Sequence, residues 1–349
     1  MTKKLILGAA VTAAMAGLSA QAAQGVRART YDNNMMTFDR ATIDSAGAFL
    51  IGELERLDQT LNLPLVEYTW SRDIMLREDV SIGDEQSSFT NSSFAAAGGP
   101  SPNGKSWVGK DANAIAGLAL DIGKTANPLT LWAMELGWTL PELASAAQIG
   151  RPIDVQKFEG MNLKYQMDID EQVYIGDSVI GVTGLVNNAA VPLMNAPTGS
   201  WSNPATTADA ILADINKLLS TAWQNTGFAI CPRTLLVDPV SFGALVTKKV
   251  SDAGNISVLE YIKVNCIAMA KNGVPLEIKP VKWLTGRGAA GANRVVAYTN
   301  DKSRVRFPLV PLQRTPLEYR NLHQLTTYYG RLGTVEVVYE ETLCYMDGV

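Results

Sequence analysis

The spacing of hydrophobic and polar positions along this chain changes period several times, and each change predicts an element. Residues 43–63, IDSAGAFLIGELERLDQTLNL, place Phe49, Leu50, Leu54 and Leu57 on one stripe of a helix. The next stretch, LVEYTWSRDIMLRED (65–79), alternates instead. Val66, Tyr68, Trp70, Ile74 and Leu76 share one side, and Glu67, Thr69, Ser71, Asp73 and Arg77 mostly the other. That period of two predicts a strand with one buried face. Residues 82–113 are rich in Gly, Ser, Asn and Pro and carry no helical period. Strand-like sequence resumes at AIAGLALDI and at PLTLWAMELGWTL. A strand, a long excursion and a returning strand together predict an extended β-hairpin.

A long helix is predicted from Pro152 to Tyr174, with Phe158, Met161, Tyr165, Ile169 and Val173 at i, i+3, i+7, i+11 and i+15. Pro152 suits its first turn and Gly176 its stop. Helices and strands then alternate. TTADAILADINKLLSTAWQ puts Ile211, Ile215, Leu218, Leu219 and Ala222 on one helical face, with Thr206 and Asp209 as a capping pair. TLLVDPVSFGALVTKK reads as a strand, then Asp238 as N-cap and Pro239 at the first helical position. SVLEYIKVNCIAMAKNG opens on a Ser257-x-x-Glu260 capping box and stops at Gly273. LEIKPVKWL, RVVAYTND and the closing TVEVVYEETLCYM read as strands. The fold class is mixed α/β (α+β), without internal repeats.

Composition removes most enzyme chemistries. The single histidine, His323, excludes sites that need two imidazoles, and no G-x-S-x-G motif supplies a nucleophilic serine. Cys231, Cys266 and Cys344 are far apart and odd in number, which fits buried thiols better than a disulfide framework. GRGAAG (286–291) has dinucleotide-loop spacing, but a strand-like segment follows it where a helix N-terminus is needed, so it reads as a hairpin turn. DIDEQ (168–172) lacks the glycine and glutamate of a calcium loop and reads as a solvated or subunit-facing acidic side of the long helix. No catalytic, cofactor or metal site is expected, and no span after residue 25 is apolar and long enough for a membrane. With a net charge of -4, nucleic-acid contact would have to be local. The aromatics Phe89, Phe94 and Trp107 in the excursion point to an arm with partners on another subunit, because a solvated linker has little use for them.

The order of parts, together with NLKYQMDIDEQVYIGDSVIGVTGLVNN (162–188), TLLVDPVSFGALV and the ending TVEVVYEETLCYMDGV, resembles the tailed-bacteriophage major capsid protein with the Hong Kong 97-like fold. The resemblance covers about residues 40–349. It implies an N-arm at 32–64 and an extended loop at 65–125, while the basic, Ala-rich extension at 1–31 lies outside it. A peripheral domain with its spine helix at 152–175 spans 126–182, an axial domain spans 183–305, and 306–349 returns to the peripheral domain and a final strand. It further implies a non-enzymatic shell protein of the virion, assembled in the host cytoplasm. Hexamers and pentamers would form around double-stranded DNA, with portal and scaffold or decoration proteins as partners and no membrane. Lys105 and Lys110, with Phe89, Phe94 and Trp107, would lie at subunit contacts. Some relatives join a loop lysine to an asparagine of a neighbour. Asn321 matches that partner by region only, so no crosslink is expected.

Residues 3–22, KKLILGAAVTAAMAGLSAQA, have the pattern of a secretory signal peptide. In a shell protein the stretch reads as an internal arm, with Lys3, Lys4, Arg27 and Arg29 toward the packaged DNA. The alternatives are a secreted or periplasmic protein with a cleaved leader, and an encapsulin-like compartment that packages protein.

Overall fold

Thr69 and Trp70 direct their backbone N–H groups at the carboxylate of Asp170, at 2.8 and 3.1 Å, and a single helical turn, α1 (Trp70–Asp73), begins there. This corrects the strand expected over 65–79. Donors committed to a carboxylate are lost to a β-ladder, and only β1 (Met75–Arg77) forms a strand. The computed structural model describes residues 64–97, 110, 117–149, 153–251 and 254–349. The helix expected over 43–63, the extension with Lys3, Lys4, Arg27 and Arg29, and the residues Lys105 and Trp107 lie outside them.

The predicted hairpin is present, but its outgoing strand is β2 (Gln86–Ala97), inside the stretch read as structureless, and its return is β3 (Gly117–Pro128). They pair antiparallel from Gln86↔Pro128 to Ala97↔Gly117 without a register shift. β4 (Thr130–Thr139) follows and turns Trp132, Leu136 and Trp138 inward. α2 (Leu140–Ile149) was not anticipated. Its start is nonetheless written as Thr139-x-x-Glu142: Thr139 Oγ1 accepts the Glu142 N–H at 3.2 Å, and the Glu142 carboxylate accepts the Thr139 N–H at 3.4 Å.

The spine helix α3 (Ile153–Tyr174) buries Met161, Tyr165, Ile169 and Val173 of its predicted stripe. Phe158 stays 41% exposed, its ring against Tyr328. DIDEQ is not a solvated face, because Asp170 is fully buried. Besides the two N–H groups of α1 it accepts the Trp283 indole N–H at 2.7 Å, and Lys282 lies 3.3 Å away. Of that acidic run Glu171 is exposed. The helix ends because the chain folds back on it. Gly176 has φ +76, and the N–H groups of Gly184, Leu185 and Val186 reach the carbonyls of Ile175, Val173 and Tyr174. A Cβ on Gly184 would lie 2.3 Å from the Tyr174 carbonyl. Gly184→Ala is therefore expected to cost about 3 kcal/mol, read as a lower urea midpoint.

β5 (Leu193–Asn195) leads to α4 (Ala208–Asn225), whose five predicted face residues are all fully buried. Each contributes about 1.5–3 kcal/mol of burial if large and apolar. Its cap is Thr207, which accepts the Ala210 N–H, rather than the predicted Thr206–Asp209 pair. Asp209 instead accepts from the Tyr261 hydroxyl. β6 (Thr234–Val237) runs into α5 (Pro239–Thr247), with Asp238 capping Val240 and Ser241 as expected. The short strands β7 (Lys249–Ser251) and β8 (Gly254–Ser257) precede α6 (Val258–Asn265) and α7 (Ile267–Asn272). Ser257 caps α6, but the Glu260 carboxylate turns to Lys263, so half of the capping box forms.

β9 (Glu277–Pro280) and β10 (Arg294–Tyr298) flank GRGAAG. They are not neighbours, because β6 lies between them, so the loop is a connection across the sheet and not a hairpin turn. β11 (Val305–Arg314), β12 (Glu318–Arg320), β13 (His323–Leu332) and β14 (Glu336–Val337) follow. The expected final strand is split between two sheets. β14 pairs with β11, a 3₁₀ turn intervenes, and β15 (Cys344–Asp347) joins β5 and β10.

Two larger sheets result. One is β5-β15-β10-β6-β9. The other is β1-β11-β13-β12, with β4 on β13 and β14 on β11. Leu235 and Val237 of β6 meet the helices α4–α7, while Leu236 faces the core shared with Ile169 and Val173 of the spine helix. That shared core also holds Val305, Phe307 and Leu332 of the second sheet, so the spine helix joins the two.

Candidate functional site

The β2–β3 hairpin is the part of the described chain least explained by its own fold. Every described residue of β3 is exposed except half-buried Asn127. Cross-strand partners share a face and the period is two. Phe94, Leu118, Leu120 and Ile122 therefore lie on one side, at 66, 71, 54 and 60% exposure, with Lys124 further along the same side. Four large apolar side chains on one solvated face imply a partner outside this subunit.

The root of the hairpin is held firmly. Glu336 of β14 is fully buried and accepts Arg306 Nε at 2.6 Å, Arg77 Nη1 at 3.1 Å and the Ser87 hydroxyl of β2. Arg77 also donates to the Ser88 carbonyl at 3.0 Å and to Asp79 at 2.7 Å. The hydrogen bond from Arg77 holds the Asp79 carboxyl below its usual range. Arg331 donates to the carbonyls of Ile82 and Leu129 on either side of the root, and Asn91 to that of Val338. The arm is thus fixed in direction at one end and unpartnered along its length.

Of the residues singled out from sequence, Phe89 is half-buried at this root, with the Arg306 guanidinium 6.0 Å from its ring centre. Phe94 is on the exposed stripe, and Lys110 lies in an exposed turn. Asn321 is exposed in the β12–β13 turn with φ +55. His323 is exposed at the start of β13, its backbone paired with Arg320 and Thr139. All three thiols are buried and free, and burial pushes the Cys344 thiol up to about 11. Sequence reasoning missed the Glu336–Arg77–Arg306 anchor. It read AIAGLALDI as a strand but did not single out Leu118, Leu120 and Ile122, although their alternation is visible there. Among the described residues no group of three or more His, Cys, Asp or Glu side chains could hold a metal ion, and no helix is long and apolar enough to cross a membrane.

Residues 104–349 match the family model described as major capsid protein. The chain belongs to the major capsid protein family. Among solved structures it is similar to the capsid of Myoviridae phage XM1, with a TM-score of 0.70 at 16% identity over 87% of this chain and 99% of that one. It is also similar to chains from Gordonia phage Cozz (TM-score 0.51, 14% identity, 92 and 99% covered) and Mycobacterium phage Che8 (0.52, 14%, 86 and 98%). Likeness at such identities is likeness of fold, and that fold is the Hong Kong 97-like one. No match was found among curated proteins. As a member of a structural family, this major capsid protein offers surfaces for other copies of itself, and the anchored hairpin is the most prominent among the described residues.

Proposed function

We propose that this capsid protein forms the icosahedral shell of a tailed phage, closing as hexamers and pentamers around a double-stranded DNA genome. The observation that carries the reading is the hairpin, rigid at its root and apolar along one solvated face. Subunits that close into rings need such a surface, since each contact joins two different patches. In this reading residues 126–182 form the peripheral domain, 183–305 the axial domain, and 306–349 return to the periphery before β15 completes the axial sheet. The extended loop is the hairpin of β2 and β3. Lys3, Lys4, Arg27 and Arg29 contribute salt-sensitive, non-specific contact with the genome. Assembly takes place in the host cytoplasm with a portal and scaffold or decoration proteins. The match to a major capsid family favours a genome over a protein cargo. Sedimentation of the purified full chain tests this. Particles of many copies are expected, and a chain that stays monomeric at high concentration contradicts it.

No covalent crosslink between subunits is expected. Asn321, exposed in the β12–β13 turn, matches the asparagine of crosslinking relatives by region only. Particles boiled in detergent should run as one monomer band. A ladder of oligomers that disappears in Lys105→Arg or Lys110→Arg contradicts this.

A further inference from the structure

Two fully buried carboxylates, Asp73 and Asp170, lie where α1, the spine helix and the end of β9 meet. Asp170 Oδ1 accepts the backbone N–H groups of Thr69 and Trp70, at 2.8 and 3.1 Å. Its Oδ2 accepts the indole N–H of Trp283, in the 3₁₀ turn after β9, at 2.7 Å, and lies 3.3 Å from Lys282 Nζ. A turn further along the helix, Tyr174 donates to the Asp73 carboxylate at 2.5 Å, and Tyr298 of β10 donates to the Asp73 carbonyl at 2.6 Å. Arg72 bridges the Asp73 carboxylate and the Pro280 carbonyl of β9. α1 leads directly into β1, which pairs with β11 of the other sheet. The cluster thus ties the spine helix to both sheets.

We infer that Asp170 is a positioning residue for shell assembly: it fixes the angle between the spine helix and the β5-β15-β10-β6-β9 sheet, and through that angle the curvature at which copies close. The inference rests on the shell reading and names a side chain that sets the shape of the subunit within it. The apolar core around Ile169 and Val173 does not set the angle alone, because hydrophobic contact has no direction. Hydrogen bonds to a buried charge do have one. The chemistry is also exclusive. All four partners of Asp170 are donors, namely two backbone N–H groups, an indole N–H and an ammonium, so only a group that accepts at both oxygens satisfies them. An amide of the same shape turns its nitrogen toward one pair of these donors. Neither acid reaches the subunit surface, so any effect on assembly passes through the subunit's own shape. A change of angle is repeated in every copy, and a ring or shell closes only when the rotation between copies is the right one.

Asp170→Asn in the full chain tests this, with Leu218→Ala as the control. Leu218 is fully buried in the core beneath α4 and outside the cluster, so its truncation lowers stability without touching the angle. Both variants are assembled well below their melting temperatures, and particle diameters are measured by negative-stain electron microscopy. Wild type and Leu218→Ala should give one narrow peak of diameters. Asp170→Asn should lose that peak to a broad spread of diameters and open assemblies, although the unassembled chain still melts in a single transition. Trp283→Phe removes one donor and keeps a ring in place, so it should broaden the peak less, and it decides the matter if Asp170→Asn does not fold. Particles of Asp170→Asn or, failing that, of Trp283→Phe that are as uniform as wild type and of the same diameter overturn the inference alone. So does a Leu218→Ala population as broad as that of Asp170→Asn, since broadening would then follow from lost stability. A wild-type chain that forms no particles overturns the shell reading and the inference with it.

Discussion

Replacing residues 86–128 with a short Gly-Ser linker is expected to abolish shells while leaving the two-sheet body folded. The cut is feasible because the Leu129 N–H already donates to the Glu85 carbonyl at 2.9 Å, so the ends to be joined are adjacent. The body should tolerate it because the hairpin buries little against its own subunit beyond the root. What is lost there is the Ser87 hydroxyl on Glu336, the Arg77 hydrogen bonds to the Ser87 hydroxyl and the Ser88 carbonyl, the Phe89 ring near Arg306 and the Asn91 bond to Val338. The cores that hold the spine helix and both sheets contain no hairpin residue. Thermal melting should therefore change by only a few degrees, whereas sedimentation should show no particles. Normal shells from this variant would contradict the role given to the hairpin.

Glu336→Ala is expected to be the most damaging single change at the root. The carboxylate is fully buried, and Arg77 and Arg306 retain only 16 and 21% of their side-chain exposure. Removing it leaves two guanidinium groups facing each other with partial access to water. Breaking a buried pair from one side costs about 3–5 kcal/mol, and the residual exposure places this case near about 3 kcal/mol. Glu336→Gln keeps the shape and one acceptor oxygen, so it should lose less. Urea unfolding of the unassembled chain measures both. A loss below about 1 kcal/mol for Glu336→Ala would show that the arginines find other partners. A correctly folded variant at low temperature should still assemble poorly, because the direction of the hairpin depends on the same carboxylate.

The elements legible in the sequence are those whose burial follows their period. Ile211, Ile215, Leu218, Leu219 and Ala222 announce α4 because all five are buried in one core. The spine helix announces itself by the same logic. β2 does not, since QSSFTNSSF has no continuous buried face, and its ladder to β3 depends on a partner more than twenty residues away. β11 is obscured by Pro308 and Pro311, and its register against β13 shifts between Val310 and Gln313, where a residue without an N–H interrupts the ladder. Asp170 lies in a run of acids that reads as solvated. Only the tertiary placement of Trp283 and the α1 turn shows that it is a buried acceptor. The assembly surface was half legible. Phe89 and Phe94 signalled an arm, whereas Glu336 and its arginines come from three separate segments and leave no local pattern.

Cryo-electron microscopy of material purified from cells that express the full chain tests the central claim most directly. The account predicts closed icosahedral particles built of five- and six-fold capsomers. In each of them the β2–β3 hairpin should leave its own subunit and lie on the next copy. Small open oligomers whose hairpins project unpartnered into solvent would contradict it.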